Sequence, residues 1–446
     1  MTQAKRKKIA IVGSGISGLS AAWALRDVAD ITLFEAAERF GGHSYTVEID
    51  YDGKPISVDV GFIVCNPLNY KNFLQFLDCL NVETQLSDMS FAVSDRSRYE
   101  WSSNPKGIFA QKRNLLRPSF LKLLSDIFRF NKMARWDAEA DALPSGLSLR
   151  QYVEENGFSQ DFCNNYLYPM GAAIWSTPEA DMMDYPARSF LNFFNNHKLL
   201  HTDRPQWRTV TGGSKTYVDQ VIRTLGHRAV KNTPIHRIDR IKTGVLLSYN
   251  DMTEDFDEVI LTGHAHQSKA ILGDGFEYQA NALSRVGRTD NIAYLHRDPS
   301  LMPKRKSAWA SWNVMKGDDR KICLSYWMNA LQGIPQDKPV FVTLNPPVPP
   351  AEDMTFGRFE FDHPLYNAER QETVQSMELW NGRDGAWFAG AWIGHGFHED
   401  GLKSGLRVAM ALGADLPWTP VDIPDFPAKD VLFTDTPETV LSTAAQ

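Results

Sequence analysis

The sequence predicts an α/β fold in which a Rossmann-like dinucleotide-binding domain is combined with an α+β domain. An apolar run over residues 8–12 leads into Gly13, Gly15 and Gly18, which have Gly-x-Gly-x-x-Gly spacing and open an apolar helix. The next apolar run ends at Glu35, about 20 residues further along the chain. Strand, glycine turn, helix, strand and acid in this order are typical of a site that holds a pyrophosphate at a helix N-terminus and a ribose on the acid.

The other parts of the dinucleotide-binding domain lie far apart in the sequence, so this domain is expected to be discontinuous. Strand-like runs lie within residues 230–263, as at the edge of such sheets. A further run over residues 386–390 enters a glycine-rich turn and then a helix over residues 401–410. We therefore expect the domain to comprise residues 1–75, 206–275 and 381–418.

Two insertions between these parts are expected to form the second domain. Residues 76–205 have a mostly helical pattern and are rich in Phe, Leu, Met and Trp, whereas residues 276–380 contain runs that predict an antiparallel sheet. The second domain is therefore predicted to be α+β. Residues 419–446 are expected to form a C-terminal tail, because prolines recur along the last part of the chain.

Composition narrows the functional classes. The length of 446 residues favours two domains, and the net charge of −7 argues against nucleic-acid binding. The four cysteines lack the spacing of a zinc site or a disulfide framework, so no metal is expected. No apolar run approaches about 18 residues, and no room for a signal peptide precedes the first strand. We therefore expect a cytoplasmic protein.

One segment departs from the acidic balance of the chain. Residues 104–136 carry eight basic residues and one acid, Asp126, interleaved with Phe, Leu and Ile. Two interpretations stay open: a helical pair that packs on the core with a solvated basic face, or a surface that docks on anionic lipid at the inner face of the membrane.

Four further short motifs lie along the chain, and Gly401 and Ser404-Gly405 follow the last of them. The motifs are residues 38–43 (Glu-Arg-Phe-Gly-Gly-His), 59–62 (Asp-Val-Gly-Phe), 210–213 (Val-Thr-Gly-Gly) and 388–390 (Phe-Ala-Gly). With these motifs the chain resembles the flavin amine oxidase superfamily, which includes monoamine oxidases, protoporphyrinogen oxidases and carotenoid desaturases. The resemblance covers most of the chain and implies an FAD-dependent oxidoreductase. Many relatives have an Arg where this chain has His43, and an acid where it has Ala391.

The resemblance also implies where FAD binds. Glu35 would bind the adenosine ribose, Gly41 and Gly42 would lie against the flavin and its diphosphate, and Ile235 would offer backbone hydrogen bonds to adenine. No cysteine lies near the Phe-Ala-Gly motif, so FAD is expected to be non-covalent. The residues implied to bind FAD are Gly13, Ser14, Gly15, Ile16, Ser17, Gly18, Glu35, Ala36, Gly41, Gly42, His43, Gly61, Phe62, Ile235, Gly390 and Leu402.

Residues 165–176 and 394–401 resemble a bacterial subfamily of these flavoproteins whose members often accompany cyclopropane-fatty-acyl synthases. This resemblance implies a methylated or cyclopropanated fatty acyl or phospholipid substrate, acyl-modifying partner enzymes, and desaturation towards furan fatty acids. An amine or polyamine oxidase and a non-catalytic flavin-containing lipid-binding accessory protein stay open as alternatives. Oligomeric state is not predicted.

The two insertions and the last glycine turn supply the candidate active-site residues. Aromatic and aliphatic side chains that either line a slot for an acyl chain or belong to an ordinary core are Tyr168, Met170, Ile174, Trp175, Trp312, Tyr326 and Trp327. The turn expected to touch the flavin carries His395, His398, Glu399 and Asp400, of which at least one is a candidate proton acceptor. Helix capping is the alternative role for the two acids.

Overall fold

The structure is a computed structural model, and it describes residues 6–95, 99–140, 143–144, 146–175, 182–201, 205–316 and 322–427. The predicted substrate residue Trp175 ends a helix, but its side chain lies outside the described residues, as does the part of the predicted tail after residue 427.

The strands are β1 (Lys8–Val12), β2 (Asp30–Phe34), β3 (Thr46–Asp50), β4 (Pro55–Asp59), β5 (Thr84–Leu86), β6 (Phe91–Asp95), β7 (Tyr99–Ser102), β8 (Arg208–Val210), β9 (Ala229–Val230), β10 (Arg237–Ile241), β11 (Gly244–Tyr249), β12 (Met252–Phe256), β13 (Glu258–Leu261), β14 (Arg288–His296), β15 (Trp312–Lys316), β16 (Ile322–Trp327), β17 (Phe341–Leu344), β18 (Thr355–Pro364) and β19 (Ala386–Phe388).

The helices are α1 (Ile16–Leu25), α2 (Lys71–Cys79), α3 (Pro118–Ala140), α4 (Leu149–Glu155), α5 (Gln160–Phe162), α6 (Tyr168–Trp175), α7 (Ala187–Asn196), α8 (Lys215–Leu225), α9 (Ala265–Ile271), α10 (Glu277–Leu283), α11 (Met328–Gln332), α12 (Ala368–Trp380) and α13 (His398–Ala411). A π-helical segment, Cys163–Leu167, joins α5 to α6, and a 3-10 turn, Lys112–Leu116, precedes α3.

A five-stranded parallel sheet forms the cofactor side of the molecule, in the order β19-β13-β1-β2-β9. Its strands come from three distant parts of the chain, and β1 lies at the centre, where Val12 pairs with both Phe34 and Leu261. Apolar side chains occupy both faces of β1, as expected of a parallel sheet covered on each side. A three-stranded antiparallel sheet, β10-β11-β12, packs beside it.

A seven-stranded sheet forms the base of the second part of the molecule, in the order β18-β14-β17-β16-β15-β6-β7. All its strand pairs are antiparallel except β15 and β6, which run parallel. One apolar core joins this sheet to α3, α4, α6 and α7. The predicted fold class, a Rossmann-like α/β part combined with an α+β part, is thus confirmed. The domain boundaries stay a prediction.

The described part of the predicted tail packs on the cofactor side. Val421 exchanges hydrogen bonds with the side chain of Asn72, and Arg407 donates to the carbonyls of Pro424 and Asp425. Phe426 lies edge-on to a tryptophan of β19. Residues 419–427 therefore form a strap across α2 and α13.

Candidate active site

The first glycine turn, at residues 13–18, brings backbone segments close together and leaves its own backbone accessible to a ligand. The amide of Gly13 donates to the carbonyl of Phe34 at 2.9 Å, and its φ of +105° favours glycine. A Cβ on Gly18 would lie 1.9 Å from the Gly13 carbonyl oxygen, whereas a Cβ on Gly15 would meet nothing within 4 Å. Gly18 therefore serves the packing of α1 on β1, and Gly15 leaves open space at the helix N-terminus.

The acid that ends β2 lies directly beside this turn. Glu35 Oε2 accepts hydrogen bonds from the amide and hydroxyl of Ser14, and Oε1 accepts from the amide of Ala37 at 2.9 Å. The carbonyl of Glu35 accepts from the amide of Thr233, which brings the segment before Ile235 alongside. The predicted ribose and adenine contacts are therefore neighbours in space.

The paired glycines pack on the same helix N-terminus. The Gly41 amide donates to the carbonyl of Ser14 at 3.1 Å, and a Cβ on Gly42 would lie 3.0 Å from the Cα of Gly15. The motif at residues 59–62 closes behind this turn, because the amide of Phe62 donates to the carbonyl of His43 at 2.8 Å. The motifs at residues 38–43 and 59–62 therefore lie together at the N-terminus of α1.

His43 is half-buried at the boundary between the two parts of the molecule, and its Nε2 atom is buried. Its ring lies 5.2 Å from that of Phe361 and 5.4 and 5.6 Å from the rings of His264 and His363, measured between centroids. Burial lowers the pKa of His43 to about 4, so its imidazole is neutral near neutral pH.

The turn after β19 is hydrogen-bonded to α13, which packs closely on α1. The Gly390 amide bonds the hydroxyl of Ser404 at 3.0 Å. A Cβ on Gly401 would lie 2.7 Å from a methyl of Ile16, and a Cβ on Gly405 would lie 2.1 Å from the carbonyl of Ser17. Small residues on α13 therefore allow it to cross α1 closely, and Leu402 is fully buried at the crossing.

The two acids of α13 are occupied by backbone amides. Glu399 accepts from the amides of Asn72 and Phe73 at 3.0 and 2.9 Å, and so caps the N-terminus of α2. Asp400 accepts from the amides of His395 and Phe397, both at 3.0 Å. Burial raises the pKa of both carboxyl groups. Their geometry is that of caps, and a catalytic role for them stays a prediction.

The two histidines of this turn have different surroundings. His395 is exposed, whereas His398 is buried and stacks on Phe62 at 3.7 Å between ring centroids. The Nε2 atom of His398 lies 2.9 Å from the hydroxyl of Tyr217, which also contacts the hydroxyl of Ser44. Burial lowers the pKa of His398 to about 3. A chain of Ser44, Tyr217 and a neutral imidazole therefore runs through the cofactor side.

Buried polar atoms without a partner mark where a cofactor would fit. Within the described residues, no hydrogen bond is made by the buried His43 Nε2, Tyr366 Oη and Trp392 Nε1 atoms. They belong to the paired-glycine turn, the segment after β18 and the turn after β19, three elements that lie at the boundary between the two parts of the molecule. Unsatisfied buried polar groups are rare in native proteins, so they indicate an absent polar partner. Together with the open space at Gly15, these atoms fit a bound dinucleotide.

The predicted substrate residues do not all meet. Tyr168 is buried and Met170 and Ile174 pack on the core around α6, while Trp312 and Tyr326 pack edge to face at 5.0 Å on the adjoining sheet. Trp327, the neighbour of Tyr326 along β16, points to the opposite face and packs on Trp309 at 5.5 Å. The structure therefore does not bring Trp327 to the others.

Sequence reasoning missed Tyr217, Tyr366 and Trp392. Tyr217 lies on the buried face of the amphipathic helix α8, where the sequence pattern predicts only an ordinary core residue. Its position four residues after the Gly212-Gly213 turn is the signal that could have drawn attention to it.

Comparison with known proteins identifies the family. The model of the family described as flavin containing amine oxidoreductase matches residues 16–299, and the chain belongs to this family. No curated protein matches the chain. The protein is an FAD-dependent oxidoreductase, and the residues around Gly15 and Glu35 would hold the cofactor.

Similar solved structures share the fold at low sequence identity. Wild-type putrescine oxidase bound to putrescine is 15% identical with a TM-score of 0.63, covering 91% of this chain and 98% of its own. Cyclohexylamine oxidase from Brevibacterium oxydans IH-35A is 15% identical with a TM-score of 0.65 over the same shares, 91% and 98%. A CLA-producing fatty acid isomerase from P. acnes is 14% identical with a TM-score of 0.61, covering 93% and 100%.

Proposed function

We propose that the protein desaturates a methylated or cyclopropanated fatty acyl chain, carried by a phospholipid or another acyl carrier. One observation supports an apolar substrate: the apolar core of the helical insertion is continuous up to Phe397, which directly precedes His398. The methyl or cyclopropane group is what the resemblance of residues 165–176 and 394–401 implies. The ring of Phe193 on α7 stacks on Phe397 at 5.2 Å and on His197 at 3.9 Å. An apolar substrate that parts these side chains would reach the cofactor side without crossing a charged barrier.

The reaction removes a hydride and a proton from adjacent carbons of the acyl chain and leaves a carbon–carbon double bond. FAD, when bound, supplies the two-electron hydride acceptor. The two electrons then leave to oxygen, a quinone or a carrier protein. The proton goes to the protein, and we assign His398 as its first acceptor. Because burial lowers the pKa of this imidazole to about 3, the proton does not stay on the ring but passes on through the hydroxyls of Tyr217 and Ser44.

Among the four predicted titratable residues, His398 fits this role best. The carboxylates of Glu399 and Asp400 already accept backbone hydrogen bonds, and the ring of His395 is exposed. His398 is shielded from water by Phe62 and Phe73, so a proton delivered there does not exchange freely with solvent.

Amine oxidation is the second candidate, because putrescine oxidase and cyclohexylamine oxidase are among the similar solved structures. An ammonium substrate needs a carboxylate or an aromatic cage. The Trp312–Tyr326 pair offers aromatic faces, but its core surroundings favour an uncharged chain. A non-catalytic lipid-binding role is the third candidate.

The test is the visible spectrum of the holoenzyme under anaerobic conditions. Phosphatidylcholine vesicles with methylated or cyclopropanated chains are compared with vesicles of unbranched saturated chains, putrescine and cyclohexylamine. Bleaching of the flavin only by the modified chains supports the proposal. Bleaching by an amine establishes the second candidate, and lipid binding without bleaching by any compound establishes the third. Either result overturns the proposal.

A further inference from the structure

We propose that the outer surface of the 3-10 turn and of α3 docks the protein on an anionic membrane surface. We call this surface the docking face. It consists of apolar side chains flanked by basic ones: Leu116, Leu121, Phe128 and Trp136 with Lys112, Arg113, Lys132 and Arg135. This inference goes beyond the proposed chemistry and is tested without it.

The exposed side chains form one stripe along the helix. Leu121, Phe128, Lys132 and Trp136 are all exposed, and their spacings of seven, four and four residues return to one side of an α-helix. At about 1.5 Å per residue, the stripe from Leu121 to Trp136 is about 22 Å long. A helix of this kind lies along an interface.

The apolar members are unusually exposed. Leu116 retains 88% of its accessible surface, Phe128 72% and Trp136 71%. Two large exposed aromatic rings on one side of α3, with a nearly fully exposed leucine in the turn that precedes it, are more than the scattered apolar side chains that ordinary surfaces carry. Amphipathic rings of this kind favour the boundary between lipid headgroups and acyl chains.

These side chains are not needed to hold α3 in place. The opposite side of the helix is fully buried through Phe120, Leu123, Phe130 and Ala134, each with 0% exposure. The helix is therefore anchored to the core by one side and presents the other as a rigid, preformed surface.

The charges of the docking face match an anionic partner. Lys112, Arg113, Lys132 and Arg135 are exposed, and none of them makes an ion pair within the described part of the chain. The whole chain has a net charge of −7, so this concentration of basic residues is local. A polyanionic lipid surface attracts such a patch over about a Debye length.

Two basic residues of the same helix do not belong to the docking face. Lys122 and Arg129 pair with the buried Asp126 at 2.6 and 3.1 Å, and Arg129 also bonds the carbonyls of Asn156 and Gly157. Their replacement would disturb the fold. They are unsuitable as probes of membrane binding.

None of the described helices is both long and apolar enough to cross a membrane. The docking face binds from one side. If the proposed acyl substrate is correct, the same helix connects the bilayer to the active site, because α3 and α7 share one apolar core and Phe193 of α7 stacks on Phe397.

The experiment is co-sedimentation of the full-length holoenzyme with vesicles whose lipids have unbranched, unmodified chains. Vesicles of phosphatidylcholine alone are compared with equal parts of phosphatidylcholine and phosphatidylglycerol, at low and high salt. We expect binding to the anionic vesicles that weakens with salt. The variant K112E/R113E/K132E/R135E is expected to lose affinity by more than about 100-fold. The variant L116S/F128S/W136S is expected to bind at least about tenfold more weakly at high salt, where charge is screened.

The matched control is K242E/K269E, which reverses exposed lysines on the cofactor side and is expected to bind within about twofold of the parent. Retained flavin and an unchanged melting temperature establish that each variant is folded. Equal binding of parent and docking-face variants overturns the proposal, as does equal binding to neutral and anionic vesicles. Self-association that the serine variant abolishes, without any vesicle binding, assigns the surface to a second copy of the chain and also overturns it. Failure of flavin reduction leaves this result untouched, because no substrate lipid is present.

Discussion

At the scale of single residues, the first turn of α13 separates structural acids from a polar relay. Glu399 and Asp400 each accept two or more hydrogen bonds that hold the backbone of a neighbouring element. His398 makes its contacts with side chains instead, to Tyr217 and Phe62. Neighbours in sequence therefore have different tasks, because successive helix positions point in different directions.

Removal of the Glu399 carboxylate is expected to destabilise the fold. Glu399→Ala leaves the amides of Asn72 and Phe73 buried without an acceptor, and we expect the free energy of unfolding to fall by about 2 kcal/mol. Glu399→Gln retains one acceptor oxygen and should lose less. Urea unfolding of the two variants measures the difference. Unchanged stability with abolished flavin reduction would instead assign a catalytic role to this carboxylate.

Replacement of His398 is expected to slow the chemistry. His398→Gln and Tyr217→Phe should each lower the rate of flavin reduction by about 100-fold, because the proton acceptor or its hydroxyl partner is lost. His296→Asn is the matched control: His296 is also buried, with a pKa lowered to about 4, but it bonds Thr343 in the seven-stranded sheet. Rates equal to the parent in both relay variants would exclude the assignment.

At the scale of elements, the N-terminus of α1 is the predicted position of the FAD pyrophosphate. Gly15→Ala is expected to leave the stability of the apoprotein unchanged within about 0.5 kcal/mol, since its φ of −64° suits alanine and its Cβ meets nothing, but to lose bound flavin. Gly18→Ala should destabilise the apoprotein as well, because its Cβ would meet the Gly13 carbonyl at 1.9 Å. Flavin absorbance per protein and apoprotein unfolding curves separate the two effects. Full flavin content in Gly15→Ala would contradict the position of the pyrophosphate.

The elements that sequence could predict are those with local signals. The glycine turn, β2 and Glu35 lie within one stretch of the chain, and their order is enough to predict the dinucleotide site. The parallel pairing of β15 with β6 joins residues 312–316 to residues 91–95, and no local pattern announces it. The hydrogen bond between Tyr217 and His398 spans 181 residues, so it too follows only from the assembled fold.

The sequence predicts on which face of a sheet or helix a side chain lies, but not which residue it contacts there. Alternation along β16 implies that Tyr326 and Trp327 lie on opposite faces, so the prediction that both line one pocket conflicts with the strand pattern itself. The sequence predicts the basic amphipathic stretch over residues 104–136, which includes the exposed stripe of α3. Only the structure shows that Lys122 and Arg129 turn towards Asp126 while Phe128 and Trp136 face outwards.

At the scale of the whole molecule, buried and half-buried histidines make stability depend on pH. Burial lowers the pKa of His43, His197, His296 and His363 to about 4 and that of His398 to about 3, against an ordinary 6.5. As the pH falls below 6.5, the unfolded chain binds protons that the folded chain does not, so the free energy of unfolding falls.

Asp59, Glu399 and Asp400 act in the opposite sense, because burial raises the pKa of each carboxyl group. Burial raises the pKa of Asp59 to about 6 from 3.8, so the folded chain holds an extra proton between these values and offsets part of the effect of the histidines. We therefore expect the free energy of unfolding to fall steeply between about pH 6.5 and pH 4, as measured by urea unfolding. His296→Asn should have a shallower slope. A flat profile would show that the histidines are accessible to protons in the folded state.

We propose that the cofactor side and the apolar core together desaturate an acyl chain. The most direct measurement is a single anaerobic turnover with a methylated phospholipid, followed by mass spectrometry of the acyl chain. We expect each reduced flavin to be matched by one acyl chain lacking two hydrogens, and His398→Gln to slow both changes together. Flavin that stays oxidised in the presence of bound lipid, or that bleaches only with an amine, would contradict it.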